Sequence, residues 1–434
     1  MNEAVNHLRN FRFVQLLEPN YKITKPAQKM MYDHLNSLLD VQAAAKQRIF
    51  PPFSLRRLLE TVFTPTKNES VAILIDLPAP EKIKDLEFLS DPSLSIQRHA
   101  YDVFHAGLLR GEVPSLSYNQ ENLFAYKITG GSNLDLPPIA FNIYGQAFKL
   151  EEDVFPKFDI ILCISTYSAT APLTAFARKY GFRGATLHGL NPTILATGLS
   201  VDYREVSRDA EKLRKGLTFA EKVEIDFSIH HRDTTLTLVL NGQEAQKSHG
   251  LCPPGEPDVA NLPAGEVYFV PDSAYGQFPL VYEDGSCGLM HVEDGRIVFA
   301  ELLSGNTTTI AEHNKKLNSD PVTGIIGELG FGTQILPFAG RDIQDEKVLG
   351  TIHVATGRSD HLGGFLTPDK FVHHSNATHD DILFAPHKTP QVQVRQARAY
   401  WADGTTRVIL ENYRPSKWFY GLINTDPAVD SLIR

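Results

Sequence analysis

The chain has 434 residues, 42% of them hydrophobic and 21% charged, the make-up of a globular protein long enough for two or three cores of ordinary size. Its formal charge is -9 with acids and bases interspersed, so it lacks the basic face with which nucleic-acid binders displace counterions. Cys163, Cys252 and Cys287 are odd in number and lack CxxC spacing, which argues against a disulfide framework or a thiolate zinc site and leaves nitrogen and oxygen as donors for any metal.

The opening residues scatter charges every few positions and show no secretory signal, and no stretch approaches the roughly 20 apolar residues of a membrane span; the expectation is a cytoplasmic protein without a membrane partner. The pattern then predicts a helix at 26–47, a strand in "VAILID" at 71–76 and a helix in "PSLSIQRHAYDVFHAGLLRG". "FDIILCISTYSATAPLTAFARKYGFRGATLHGLN" reads as strand, polar loop, helix and strand, the βαβ unit of a parallel sheet. The loop residues Thr166, Tyr167, Ser168 and Thr170 either contact a ligand or cap the following helix. A charged helix with opposite charges at i, i+4 spacing follows at about 202–222.

From "VEIDFSIHHRDTTLTLVLNGQ" onward, β-branched alternation and glycine-containing turns dominate. "GEVYFVP", "PLVYEDGSCGLMHVEDGRIVFAEL" and "VLGTIHVATG" all read as strands, with "KSHGLCPPGEPD" as a connecting loop. The expected class is therefore α/β: an N-terminal α/β domain with a partly parallel sheet over 1–245, followed by a β-rich α+β domain over 246–434.

Four segments of the second half place acids or imidazoles at strand ends or turns. In "ATHDDILFAPH", His379 and Asp381 point to one face if the segment is extended, either as two metal ligands or as a polar entry to a buried strand. His353 lies inside "VLGTIHVATG", as a ligand or as a hydrogen-bonded core histidine. Glu328 sits among apolar residues and glycines in "GIIGELGFGTQ", where an uncompensated carboxylate is costly to bury and a cation would offset the cost. The glycines of "GELGFGT" lack the third glycine of a dinucleotide fingerprint and read as a tight turn. Glu266 opens "GEVYFVP". His230 with His231, and His373 with His374, would face opposite ways and do not chelate jointly.

The order "NLPAGEVYFVP", "GIIGELGFGTQ", "DEKVLGTIHVATG" and "HDD" resembles the leucyl aminopeptidase-like metallopeptidases that include aminopeptidases T and S, over about 258–386. The resemblance implies a dimeric enzyme with an N-terminal α/β domain and a C-terminal catalytic domain. It also implies a two-metal site at Glu266, Glu328, His353, His379 and Asp381, each with the family's residue type. Such mixed donors suit zinc, cobalt, manganese or ferrous iron. Two divalent ions per chain would lower the pKa of a bound water toward roughly 7 and polarise a carbonyl, with Glu328 as general base and a small peptide or other small molecule as substrate.

Asp360 stands where the family has its catalytic tyrosine. An ionised carboxylate about 4 Å from a developing oxyanion would cost roughly 4 kcal/mol at an effective dielectric near 20, unless Asp360 is protonated, binds a metal, or points away while His361 or another group substitutes. The family's fold is also similar to that of 2,5-dihydroxypyridine dioxygenase. A ferrous ring-cleaving dioxygenase, or a metal-binding relative without catalysis, is thus the alternative to an aminopeptidase.

Overall fold

The computed structural model describes residues 40–424. Of the helix expected at 26–47, its C-terminal part is the helix Val41–Gln47, while residues 26–39 lie outside the described residues. The rest is a mixed α/β protein with three sheets.

The first sheet has a parallel core in the spatial order Val259–Asn261, Arg183–Thr186, Ile160–Ile164, Glu69–Leu77 and Leu123–Lys127, extended by antiparallel strands Ile139–Asn142 and Ala147–Lys149. Ile160–Ile164 and residues 71–75 of its neighbour are apolar without a break because both faces are covered. Val71, Ile73 and Ile75 join the larger core, whereas Ala72 and Leu74 join a second cluster with Phe155 and Leu173. The βαβ unit forms as its sequence pattern predicts, with Thr170–Tyr180 as the crossover helix and Gly181, at φ 83, ending it in the left-handed conformation.

Ser95–His99, Ala100–His105 and Ala106–Leu109 form one helical run whose middle is a π-helix. The charged helix spans Tyr203–Leu217, where Tyr203, Val206, Ala210, Leu213 and Leu217 make the buried stripe and Asp202 caps the first turn.

An eight-stranded antiparallel sheet is centred on Arg232–Val239, Ala220–Ile229 and Gln393–Trp401. Along Ala220–Ile229 burial alternates, with Val223, Ile225, Phe227 and Ile229 inside.

The third sheet has five antiparallel strands in the order Gln246–Ser248, Glu266–Phe269, Ile326–Gly332, Ile352–Gly357 and His379–Phe384. Its last four strands are the chain segments that carry the singled-out acids and imidazoles. The chain weaves between the layers: Ala220–Ile229 precedes residue 245 yet pairs with Gln393–Trp401, and Val259–Asn261 follows it yet extends the parallel sheet. No helix among the described residues is long and apolar enough to cross a membrane.

Candidate metal centre

Strand pairing sets Glu266 opposite Gly332, Tyr268 and His353 on either side of Gly330, Asp381 opposite Ala355, and His379 opposite Gly357. Paired residues share a face and every second residue returns to it, so Glu266, Tyr268, Glu328, His353, His379 and Asp381 all project from one side of the five-stranded sheet. A register shift between Ile326 and Glu328 marks a bulge, the device that re-aims a side chain.

The positions between the donors are Gly330, Gly332, Ala355 and Gly357. "GELGFGT" is therefore not a tight turn, as its glycines suggested, but a strand buried along Ile326–Gly332. Its glycines make room instead: a Cβ on Gly330 would come within 2.1 Å of the His353 ring, and one on Gly332 within 2.1 Å of the Val348 carbonyl oxygen.

Glu328 lies between the two imidazoles. His353 Nε2 is 3.4 Å from its Oε1, and His379 Nε2 is 3.0 Å from its Oε2. Asp381 Oδ1 is 3.3 Å from His379 Nε2, and Glu266 Oε2 is 3.6 Å from His353 Nε2. The Nδ1 of His379 donates to the Arg358 carbonyl at 2.6 Å, which assigns the proton to that nitrogen and turns Nε2 toward the carboxylates.

The charges explain the titration of the cluster. Burial alone would raise Glu328, but hydrogen bonds and charge from His353 and His379 outweigh it and hold the carboxylate well below its usual range. Burial likewise pulls His353 down, yet Glu328, Glu346 and Glu266 lift it to about 9. His379 is held well above its ordinary value, since Asp381 and Glu328 outweigh burial. The carboxylates thus demand positive charge at both imidazoles, the charge a divalent ion would supply in place of two protons.

The residues fit such an ion. Glu266–Glu328–His353 and Glu328–His379–Asp381 each offer three donor atoms within 4.8 Å of one another. Two donors each about 2.1 Å from a tetrahedral ion lie about 3.4 Å apart, and the four separations above bracket that value. Glu266 Oε2 is buried without a hydrogen-bond donor, a cost that a cation would remove.

The donors open on a cavity of about 160 Å³ whose far wall is the carboxyl end of the parallel sheet, contributing Ser168, Thr170, His188 and Asn261. Ser168 and Thr170, from the polar loop noted in the sequence, therefore reach the cavity, although neither side chain caps the helix as an N-cap. Asp360 is turned away: Arg358 holds it through Nε at 2.7 Å and Nη2 at 3.2 Å. The repulsion expected from a carboxylate at an oxyanion does not arise in this arrangement.

Other residues at the centre carry weaker sequence signals. Tyr268 lines the cavity, and burial followed by the charges of Glu328 and Glu266 pushes its hydroxyl upward, keeping it a donor. Its signal was the two-residue spacing from Glu266 in "GEVYFVP". His361 also lines the cavity, stacked edge-on against His379 at 5.0 Å, and burial with the His379 charge lowers it to about 3, so it is neutral. Glu346 is pushed up to about 8 by burial, against the pull of Lys347. Lys347 is completely buried against Glu266 and Glu346.

Fold and site together define an α/β protein with buried carboxylate and imidazole groups able to hold metal. The fold is similar to that of 2,5-dihydroxypyridine dioxygenase from Pseudomonas putida, with a TM-score of 0.50 and 15% identity over 88% of this chain and 97% of that one. AmpT, an aminopeptidase T, from Thermus thermophilus aligns with a TM-score of 0.46 and 12% identity over 83% of this chain and 98% of that one. At 15% identity the likeness to the dioxygenase is one of fold. No protein-family model and no curated protein matches the sequence.

Proposed function

We propose that this chain is a metal-dependent hydrolase that removes amino-terminal residues from small peptides. The observation that carries the reading is the position of Glu328, one carboxylate shared by two donor groups at the wall of a small polar cavity.

Glu266, Glu328, His353, His379 and Asp381 would hold the divalent metal, which when bound would supply a water acidified toward roughly pKa 7 and polarisation of a carbonyl. The chain's own side chains do the rest. Glu328, ionised and facing the cavity, takes a proton from water and returns it to the departing amine. The Tyr268 hydroxyl, placed two residues from Glu266 on the same face, donates to the developing oxyanion in place of the tyrosine missing at Asp360. His361, neutral and packed on His379, shields the site from water.

The test is release of free amino acids from unblocked dipeptides by protein stripped with chelator and reloaded with zinc, cobalt or manganese. Glu328→Gln is expected to lower turnover by about 10²–10⁴-fold while the far-ultraviolet circular dichroism is unchanged. Equal cleavage of N-acetylated peptides, or undiminished turnover by the variant, would refute the reading.

A second reading rests on the subset His353, His379 and Asp381, two imidazoles and a carboxylate, the donor set of many ferrous oxygenases. Oxygen uptake with a hydroxylated aromatic compound, dependent on ferrous iron and absent with zinc, would favour it over hydrolysis.

A further inference from the structure

The two donor groups are not alike. In Glu328–His379–Asp381 the imidazole nitrogen lies 3.0 and 3.3 Å from its carboxylate oxygens; in Glu266–Glu328–His353 the corresponding separations are 3.4 and 3.6 Å. Both pairs of distances lie close to the separation expected of donors on one ion, so the difference that matters is charge: the Glu266–Glu328–His353 group has a cation of its own. Lys347 Nζ is 2.7 Å from Glu266 Oε1 and 2.6 Å from Glu346 Oε1, with a side chain 1% exposed.

That ammonium is held by burial between two carboxylates, and its backbone is pinned as well. The Lys347 N–H donates to the Gln344 carbonyl at 3.0 Å, and its carbonyl accepts from the Gln334 N–H at 2.8 Å. Lys347 is not among the residues that line the cavity, and its ammonium pairs with Oε1 of Glu266, whereas Oε2 is the oxygen near His353. Glu266 thus arrives at the centre with one oxygen already committed to a positive charge, while Glu328 and Asp381 meet only imidazoles and, in Glu328's case, the shared position between them. A fixed ammonium one carboxylate away repels a dication and weakens the donor it shares.

We propose that Lys347 makes the two cation positions unequal, standing in for one ion at Glu266, so that a single divalent ion is held tightly by Glu328, His379 and Asp381 and a second only weakly by Glu266, Glu328 and His353. This rests on the reading of the cluster as a metal centre. It replaces two equivalent ions per chain with one resident ion and one exchangeable position.

The experiment is calorimetric titration of chelator-stripped protein with zinc, with cobalt absorption as a second readout of how many donors each equivalent meets. The wild type is expected to take one tight equivalent and a second at least 100-fold weaker. Lys347→Met, which keeps the volume and removes the charge, should tighten the second equivalent at least tenfold and change the first less than threefold. Glu266→Gln keeps the contact to Lys347 and guards against a variant that fails to fold; it should abolish the weak equivalent and leave the tight one within threefold. Two wild-type equivalents of equal affinity, or a tight equivalent lost in Glu266→Gln, would overturn the proposal and leave the metal centre standing. A wild type that binds no zinc would overturn both.

Discussion

The two faces of the five-stranded sheet are built from alternate residues of the same strands and follow opposite rules. On one face Val267, Phe269, Leu329, Phe331 and Val354 are fully buried hydrophobic residues that join the main core. On the other, charged and imidazole side chains alternate with glycine and alanine, and every large group has a partner or a cavity in front of it. The comparison teaches that a strand can be apolar by period two and still serve a polar site, provided the intervening residues on the polar face are small. Packing fixes where the strands lie; small residues fix what can stand between them.

The sharpest way to break the comparison is from the apolar side. Phe331→Ala is expected to cost about 3–5 kcal/mol of stability by urea denaturation. The folded fraction should nevertheless bind zinc with wild-type affinity, because Phe331 points away from the donors. Loss of both in parallel would show that the faces are not independent.

A smaller change on the polar face should do the reverse. Gly330→Ala forces a Cβ against the His353 ring, a clash expected to cost about 1–3 kcal/mol and to displace the imidazole. Zinc affinity should fall by at least tenfold, most for the weaker equivalent. An alanine variant with unaltered zinc titration would mean that His353 is not a donor.

The smallest effect is that of pH on the metal-free protein. His353 is raised from its ordinary value to about 9, so the stability it contributes is fully present below about 6.5 and is lost as pH rises through 9. Urea midpoints in chelator should therefore decline over that window, on the order of 1 kcal/mol once neighbouring protons redistribute. With zinc present the trend should reverse, since binding releases those protons. A flat profile in chelator would show that the carboxylates do not hold a proton on the imidazole.

Much of this was legible in the sequence, for identifiable reasons. The βαβ unit follows from an apolar run, a helical period and a second apolar run, all local signals. The five donors stand in four separate strands, and only their order and spacing marked them; the structure brings them to one cavity wall. "GELGFGT" was misread because glycines usually signal turns, whereas here the reason for them is a ring 23 residues further along the chain, arriving from the neighbouring strand. Lys347 and Glu346 were invisible for the same reason: a lysine in "QDEKVLG" reads as a solvated charge until the fold buries it against Glu266. The boundary drawn at 245 separates composition, while the sheets interleave segments from both sides of it.

Arg358 joins distant parts of the chain at this centre. Its guanidinium binds the Asn133 carbonyl, Asp135 and Asp360, while its own carbonyl receives the Nδ1 proton of His379. The loop around Asn133, more than two hundred residues upstream, is thereby mechanically in series with an imidazole that faces the cavity. A substitution at Asp135 removes one of the three acceptors that fix the Arg358 guanidinium, in the residue whose carbonyl orients the His379 ring.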